Sequence, residues 1–238
     1  MHPHHVIPLL SQEWYLGMIL SLSFFAILIV IGRYALKRGF ELKYRYFIAG
    51  IFIIREIYLI AYTIQKGLFT LQDSLPLHLC GISYISLVIF LLYPNFFLFE
   101  FLLLLSFAGA VQSLITPELT HGYSTYFLID YYFSHASIIF APMYALFVFN
   151  MRPRKYAWLR VWIFGNIVLG IVYLINLALG SNYIYLMRAP KVDNPLILHP
   201  YPMHLVGFEV FGFLHIVLIY WVTTRWLPQA KLSLYKVN

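Results

Sequence analysis

Whatever chemistry this chain performs must come from one cysteine and a small set of ionisable side chains. The stretch DSLPLHLCGIS, residues 73–83, places Cys80, the only cysteine, two residues after His78. A thiol attacks an ester carbonyl once a base has taken its proton. Two residues are about 200° apart around a helix, so His78 and Cys80 diverge if both are helical. Pro76 fits a first helical turn, which makes them so. The base is then better sought on another segment, and His135 is the natural choice. His78 is left to bind a substrate oxygen or to orient a loop. Taken alone, a free cysteine is more often an inert, buried small hydrophobe. His135 taken alone fits a structural donor to a backbone carbonyl as well as it fits a base.

The segments that must position these groups are apolar. Of 238 residues, 62% are hydrophobic and 11% charged, more apolar surface than a water-soluble domain of this size can hide. Seven runs approach or exceed the ~20 residues that a helix needs to cross a hydrocarbon core: 14–35, 44–65, 76–93, 96–115, 127–149, 157–179 and 203–227. They are continuously apolar, whereas barrel strands alternate. The expectation is an all-α membrane protein, one polytopic bundle of seven transmembrane helices over residues 1–238. The net charge of +7 does not point to nucleic acid, because no basic stripe with interleaved aromatics occurs. Arg33, Lys37, Arg38, Lys43 and Arg45 fill the first connection, and Arg152, Arg154, Lys155 and Arg160 the fifth. Arg225, Lys231 and Lys236 follow the last run, against only Lys66, Arg188 and Lys191 on the other side. By the positive-inside rule the N-terminus is outside and the C-terminus cytoplasmic. The first run lacks a basic start and reads as an anchor rather than a cleaved signal. The histidines of the opening MHPHH are weak candidates for metal ligands. Two connections, 116–126 and 180–202, carry Pro, Gly, Asn and aromatics and read as ordered loops. No internal repeat supports an inverted-repeat transporter.

Ionisable groups inside spans mark function by default. Arg55, Glu56, His78, Glu100, Asp130, His135, Glu209 and His215 are the candidates. Measured from the outer end of each run, Cys80 lies about 7 Å down, Glu209 about 10 Å, His135 about 12 Å and Glu56 about 13 Å. Asp130, Gln112 and Asn176 fall within about 5 Å of that surface. Glu100 and His215 lie past the midplane. A shared depth on six helices implies a cavity opening outward; interhelical hydrogen bonds are the plainer alternative. Arg55 and Glu56 are neighbours and cannot face each other, so each needs a partner elsewhere. Glu209 is the first candidate for Arg55, with Glu56 or Asp130 behind it. Gln112 and Thr116, four apart, share a face.

Four stretches carry a resemblance: LPLHLCGIS (75–83), FEFLLLLSFAGAVQSLITPE (99–118), YFLIDYYFSHASI (126–138) and YLINLALGSNYIYLMRAP (173–190). Together, over about residues 10–227, they resemble the YwaF-like bacterial integral membrane proteins, which are similar to the eukaryotic transmembrane protein 164 family. That family is regarded as cysteine-dependent lipid acyltransferases, and it looks related to the androgen-induced-gene intramembrane esterases, which use a threonine and a histidine. The resemblance implies a bacterial plasma-membrane protein, a nucleophile at Cys80 and a histidine at His135. It also implies a phospholipid or lysophospholipid partner, with no cofactor.

Three functions compete. In the first, the Cys80 thiolate attacks a lipid ester, His135 moves the proton, and a lysolipid hydroxyl or water accepts the acyl chain. His78, Gln112, Asn176 or Asn182 would then serve the oxyanion, with Tyr183 in support. In the second, Arg55, Glu56, Asp130, His135 and Glu209 form the relay of a proton-coupled transporter. In the third, a metal-dependent lipid hydrolase, convergent histidines are needed. His204 and His215 lie roughly 16 Å apart along one helix, too far to share an ion. No lysine lies inside a span, which disfavours a retinal-type receptor.

Overall fold

The computed structural model describes residues 5–190 and 201–227. Long apolar runs become long helices because an unbroken helix is what satisfies backbone groups in hydrocarbon. They are α1 Gln12–Arg38, α2 Glu41–Gln65, α3 Leu79–Leu92, α4 Phe96–Phe101, α5 Phe107–Ile115, α6 Thr125–Phe147, α7 Ala157–Leu179 and α8 Met203–Arg225. A π-helical turn, Leu102–Ser106, joins α4 to α5 into one continuous rod. A short pairing of β1 His5–Val6 with β2 Glu118–Leu119 closes one end, with His5 opposite Leu119.

Local signals set the helix ends. Ser11 and Ser124 accept backbone N–H bonds from Trp14 and Phe127, capping α1 and α6. Gly39, at φ 79°, turns the chain out of α1 in the left-handed conformation that glycine tolerates. At the β1–β2 end, Trp14 Nε1 donates to the Ile115 carbonyl at 3.0 Å and the Tyr123 hydroxyl donates to Glu13 at 2.7 Å. The opposite end is basic. There Glu100, fully buried, accepts from the Arg154 backbone and guanidinium at 2.8–2.9 Å and from Arg160 at 3.2 Å. Arg45, expected in a connection, lies inside α2. It donates to Glu41 at 3.0 Å and to the carbonyls of Leu91 and Leu92, while Tyr144 donates to the same Glu41 oxygen at 2.9 Å. This knot ties α2 to the end of α3 and to α6.

α6 is the axis of the bundle, packed by α1, α3, α5 and the π turn. α1 approaches it so closely that a Cβ on Gly17 would stand 2.3 Å from the Tyr132 ring, and one on Gly32 2.3 Å from the Tyr144 ring. The outer faces of α1, α7 and α8 are apolar and exposed, with Leu20, Val30, Leu174 and Leu218 among them. An apolar surface of that extent is matched by lipid, not water. Among the described residues, five rods are long and apolar enough to cross a membrane: α1, α2, the α4–α5 rod, α7 and α8. The molecule is therefore an integral membrane protein of helical class.

Two of the seven expected spans, 76–93 and 127–149, fall outside this apolar set. α6 has the length but carries Asp130 and His135 and falls outside the apolar set. α3 has 14 residues, about 20 Å of helix against a core of about 30 Å. The run expected to begin at 76 turns helical only at Leu79, with His78 extended at φ −66°, ψ 154°. Non-helical backbone at such depth is tolerated where it lines a cavity.

Candidate active site

The start of α3 is the first component of the site. Cys80 is the second helical residue, so the backbone N–H groups of Leu79, Cys80 and Gly81 belong to the first turn, which has no intrahelical acceptors. Gly81 is required here: a Cβ would stand 2.8 Å from both Cα and the carbonyl carbon of Pro76. Pro76 thus belongs to a loop folded back on the helix start, not to the first turn.

α6 supplies the second component. His135 is buried, and its Nδ1 donates to the Tyr131 carbonyl at 2.8 Å. A carbonyl only accepts, so the proton sits on Nδ1 and Nε2 carries the free lone pair. Nε2 makes no hydrogen bond to the described residues. Cys80, partly exposed, and His135 line one cavity of about 1170 Å³, above the ~300–1,000 Å³ usual for ligand pockets. Thiol and imidazole make no direct hydrogen bond to each other.

Arg55 ties α2 to α6. Its guanidinium forks onto Asp130, with Nε to Oδ1 at 2.6 Å and Nη2 to Oδ2, and Nη1 reaches Glu56 at 2.7 Å. It also lies 4.7 Å from the Tyr84 ring centroid. The expected Arg55–Glu209 pair does not form. α8 packs on α7 and the π turn, whereas α2 packs on α1 and α3. Glu209 instead accepts from Trp162 Nε1 and from Asn166 at 3.1 Å. Glu56, expected to need a partner other than its neighbour, pairs with Arg55, because the long guanidinium curls back along the helix.

The remaining expected residues divide. His78 and Gln112 line the cavity. His78 Nδ1 accepts the Ile184 N–H at 3.2 Å, and its ring packs on Tyr183 and Tyr185, so it orients a loop. Gln112 donates to Thr116 at 3.2 Å on their shared face. Asn176, Asn182 and Tyr183 are not among the lining residues, which corrects their expected place beside an oxyanion. Asn176 bonds both the N–H and the carbonyl of Tyr183, at 2.8 and 2.9 Å, and accepts from Ser181. Asn182 accepts from the N–H groups of Met187 and Arg188. The Tyr183 hydroxyl donates to Leu71 and accepts from the Leu75 N–H. All three are committed to the fold of the 180–190 loop.

That loop brings in two residues that sequence reading missed. Ile184 and Tyr185 both adopt left-handed backbone, at φ 55° and 56°, at a cost of about 1–2 kcal/mol each. His204, fully buried, holds the Tyr185 carbonyl through Nε2 at 2.9 Å. Tyr185 lines the cavity, and its hydroxyl makes no hydrogen bond to the described residues. Burial, with the charge of Glu118 second, holds that hydroxyl above the ordinary tyrosine range, so it stays a neutral donor. Glu118 is buried, lines the same cavity and was also not anticipated. The one signal was the aromatic spacing of Asn-Tyr-Ile-Tyr beside the Gly-Ser turn.

Among the described residues no group of three His, Cys, Asp or Glu could hold a metal ion. His5 is described, in β1 with its ring on Tyr123; His2, His4, Lys191, Lys231 and Lys236 lie outside the described residues. Compared with known proteins, the TMEM164 family model matches residues 5–220. No curated protein and no solved structure matches the chain.

Proposed function

The chain belongs to the TMEM164 family, and from that premise and the cavity we propose that it transfers or hydrolyses lipid acyl chains through Cys80 and His135. The observation that supports this reading best is a thiol at the open first turn of α3 facing the same cavity as an imidazole whose Nε2 is free. His135 Nε2 takes the thiol proton as an ester enters. The sulfur then forms a C–S bond to the carbonyl carbon, and the carbonyl oxygen becomes an oxyanion beside the first-turn amides. Collapse breaks the ester C–O bond, and the leaving alcohol takes the proton from His135. The thioester passes its acyl chain to a lysolipid hydroxyl or to water. Arg55 is a positioning residue: through Asp130 it fixes the rotation of α6 that turns His135 inward.

The topology belongs to the same proposal. Seven rods cross the bilayer with the N-terminus outside and the basic end cytoplasmic, α3 being completed by the non-helical backbone before it. The membrane is a bacterial plasma membrane and the substrates are its phospholipids or lysophospholipids. The test is turnover of a labelled phospholipid by purified protein. Cys80→Ser should keep the fold and lose most turnover, because a hydroxyl is far harder to deprotonate. His135→Ala should lose as much, and the double variant no more than either, since the two act as a unit. Full turnover by Cys80→Ala would refute the mechanism.

A further inference from the structure

Two successive non-glycine residues in left-handed backbone are unusual, and such strain is a reason to ask what it holds in place. Here it holds one side chain. The loop around Ile184 and Tyr185 is fixed from three directions: Asn176 on α7 grips Tyr183 through its N–H and carbonyl, His78 at the start of α3 accepts the Ile184 N–H, and His204 on α8 donates to the Tyr185 carbonyl. The Tyr185 ring then packs on His78, two residues from the thiol, with ring centroids 5.4 Å apart. Tyr185 and Cys80 line the same cavity. Other tyrosine hydroxyls around the thiol are occupied: Tyr131 donates to Ser113 and Tyr84 to the Phe52 carbonyl. The Tyr185 hydroxyl makes no such bond to the described residues, and Tyr185 lines the cavity.

We infer that Tyr185 is a catalytic residue whose hydroxyl donates a hydrogen bond to the ester carbonyl oxygen as Cys80 attacks, completing an oxyanion site begun by the first-turn amides of α3. This rests on the reading of Cys80 as nucleophile. The tyrosine keeps its own proton throughout. It stabilises the charge that appears on oxygen when the C–S bond forms, and the bond relaxes when the C–O bond to the leaving alcohol breaks. Three helices fix its backbone because such a donor must be in place before charge develops.

The test compares two reactions of the same thiol in the full chain. Acylation by p-nitrophenyl hexanoate passes through an oxyanion; alkylation by iodoacetamide is a direct displacement and does not. Tyr185→Phe should slow acylation of Cys80 by about 10²-fold or more, the range for loss of one oxyanion donor, and leave alkylation within about twofold, a rate match read against that same scale. Equal slowing of both reactions, or of neither, overturns the proposal. Should the phenylalanine variant not fold, 3,5-difluorotyrosine at 185 keeps the shape and gives a more acidic hydroxyl. Acylation should then fall as that hydroxyl ionises with rising pH while alkylation shows no matching step; identical pH profiles overturn the proposal. Failure of the underlying reading is distinct, because Cys80→Ala would then consume the ester as fast as the unmodified protein.

Discussion

Removing the cation that organises the α2–α6 contact has a consequence that can be worked through. In Arg55→Met the guanidinium is gone, while Asp130 and Glu56 remain, 12% and 29% exposed as side chains. Asp130 is left without the two charge-assisted bonds that now hold it. Breaking a buried pair by removing one partner costs about 3–5 kcal/mol, and each kcal/mol lowers the melting temperature of a chain this size by about 2–4 °C, so the expected drop is about 10 °C. Arg55→Met with Asp130→Asn removes both charges. A buried pair replaced by neutral groups is often close to neutral in stability, so the double variant should recover more than half of the loss. Thermal unfolding in detergent, followed by tryptophan fluorescence and by the onset of aggregation, supplies all the melting temperatures of the cycle. A melting temperature for Arg55→Met within about 2 °C of the unmodified protein, under one kcal/mol on that scale, would refute the reasoning. So would a double variant no more stable than the single one.

Other outcomes follow from the same contacts. Gly81→Ala drives a methyl group against Pro76 backbone that cannot yield, so it should cost about 1–3 kcal/mol and displace the first turn of α3, seen as slower labelling of Cys80 by iodoacetamide. Asn176→Ala leaves the N–H and carbonyl of Tyr183 without partners at a site 1% exposed, for about 2–4 kcal/mol; limited proteolysis should then cut within 180–190, where the unmodified protein resists. Glu209→Gln keeps an oxygen for Trp162 and Asn166, so its melting temperature should stay within about 3 °C of the unmodified value. A loss as large as that of Arg55→Met would mean that Glu209 shares the Arg55 network after all.

Much of this architecture can be read in the chain, and the failures have physical causes. The long apolar runs announce helices because lipid leaves the backbone no other partner. Depth counted along those helices groups Cys80, Glu56, Gln112, Asp130, His135 and Glu209, all of which line one cavity, since rise per residue is fixed. Depth carries no information about lateral position. Glu209 therefore seemed as close to Arg55 as Asp130 is, although α8 packs on the opposite flank. Asn176, Asn182 and Tyr183 have suitable chemistry near the right level, but a loop with three strained or turning residues takes up their polar atoms. Pro76 read as a first-turn proline because the sequence does not show that it folds back onto Gly81. The Glu41–Arg45 pair has the spacing of an i, i+4 contact at a helix start, but the basic residues around it make that stretch read as a connection. Nothing in residue types alone shows that the Tyr185 hydroxyl is left unoccupied.

The central claim is a covalent acyl intermediate on one sulfur. It is met most directly by incubating the purified protein with phospholipid carrying an isotopically labelled acyl chain, quenching with acid, and measuring the mass of the peptide that contains Cys80. The account predicts a labelled acyl group on Cys80 that neutral hydroxylamine removes, is absent from Cys80→Ser and is strongly reduced in His135→Ala. Labelled product formed at the full rate by protein whose Cys80 has been replaced, with no adduct elsewhere, would contradict it.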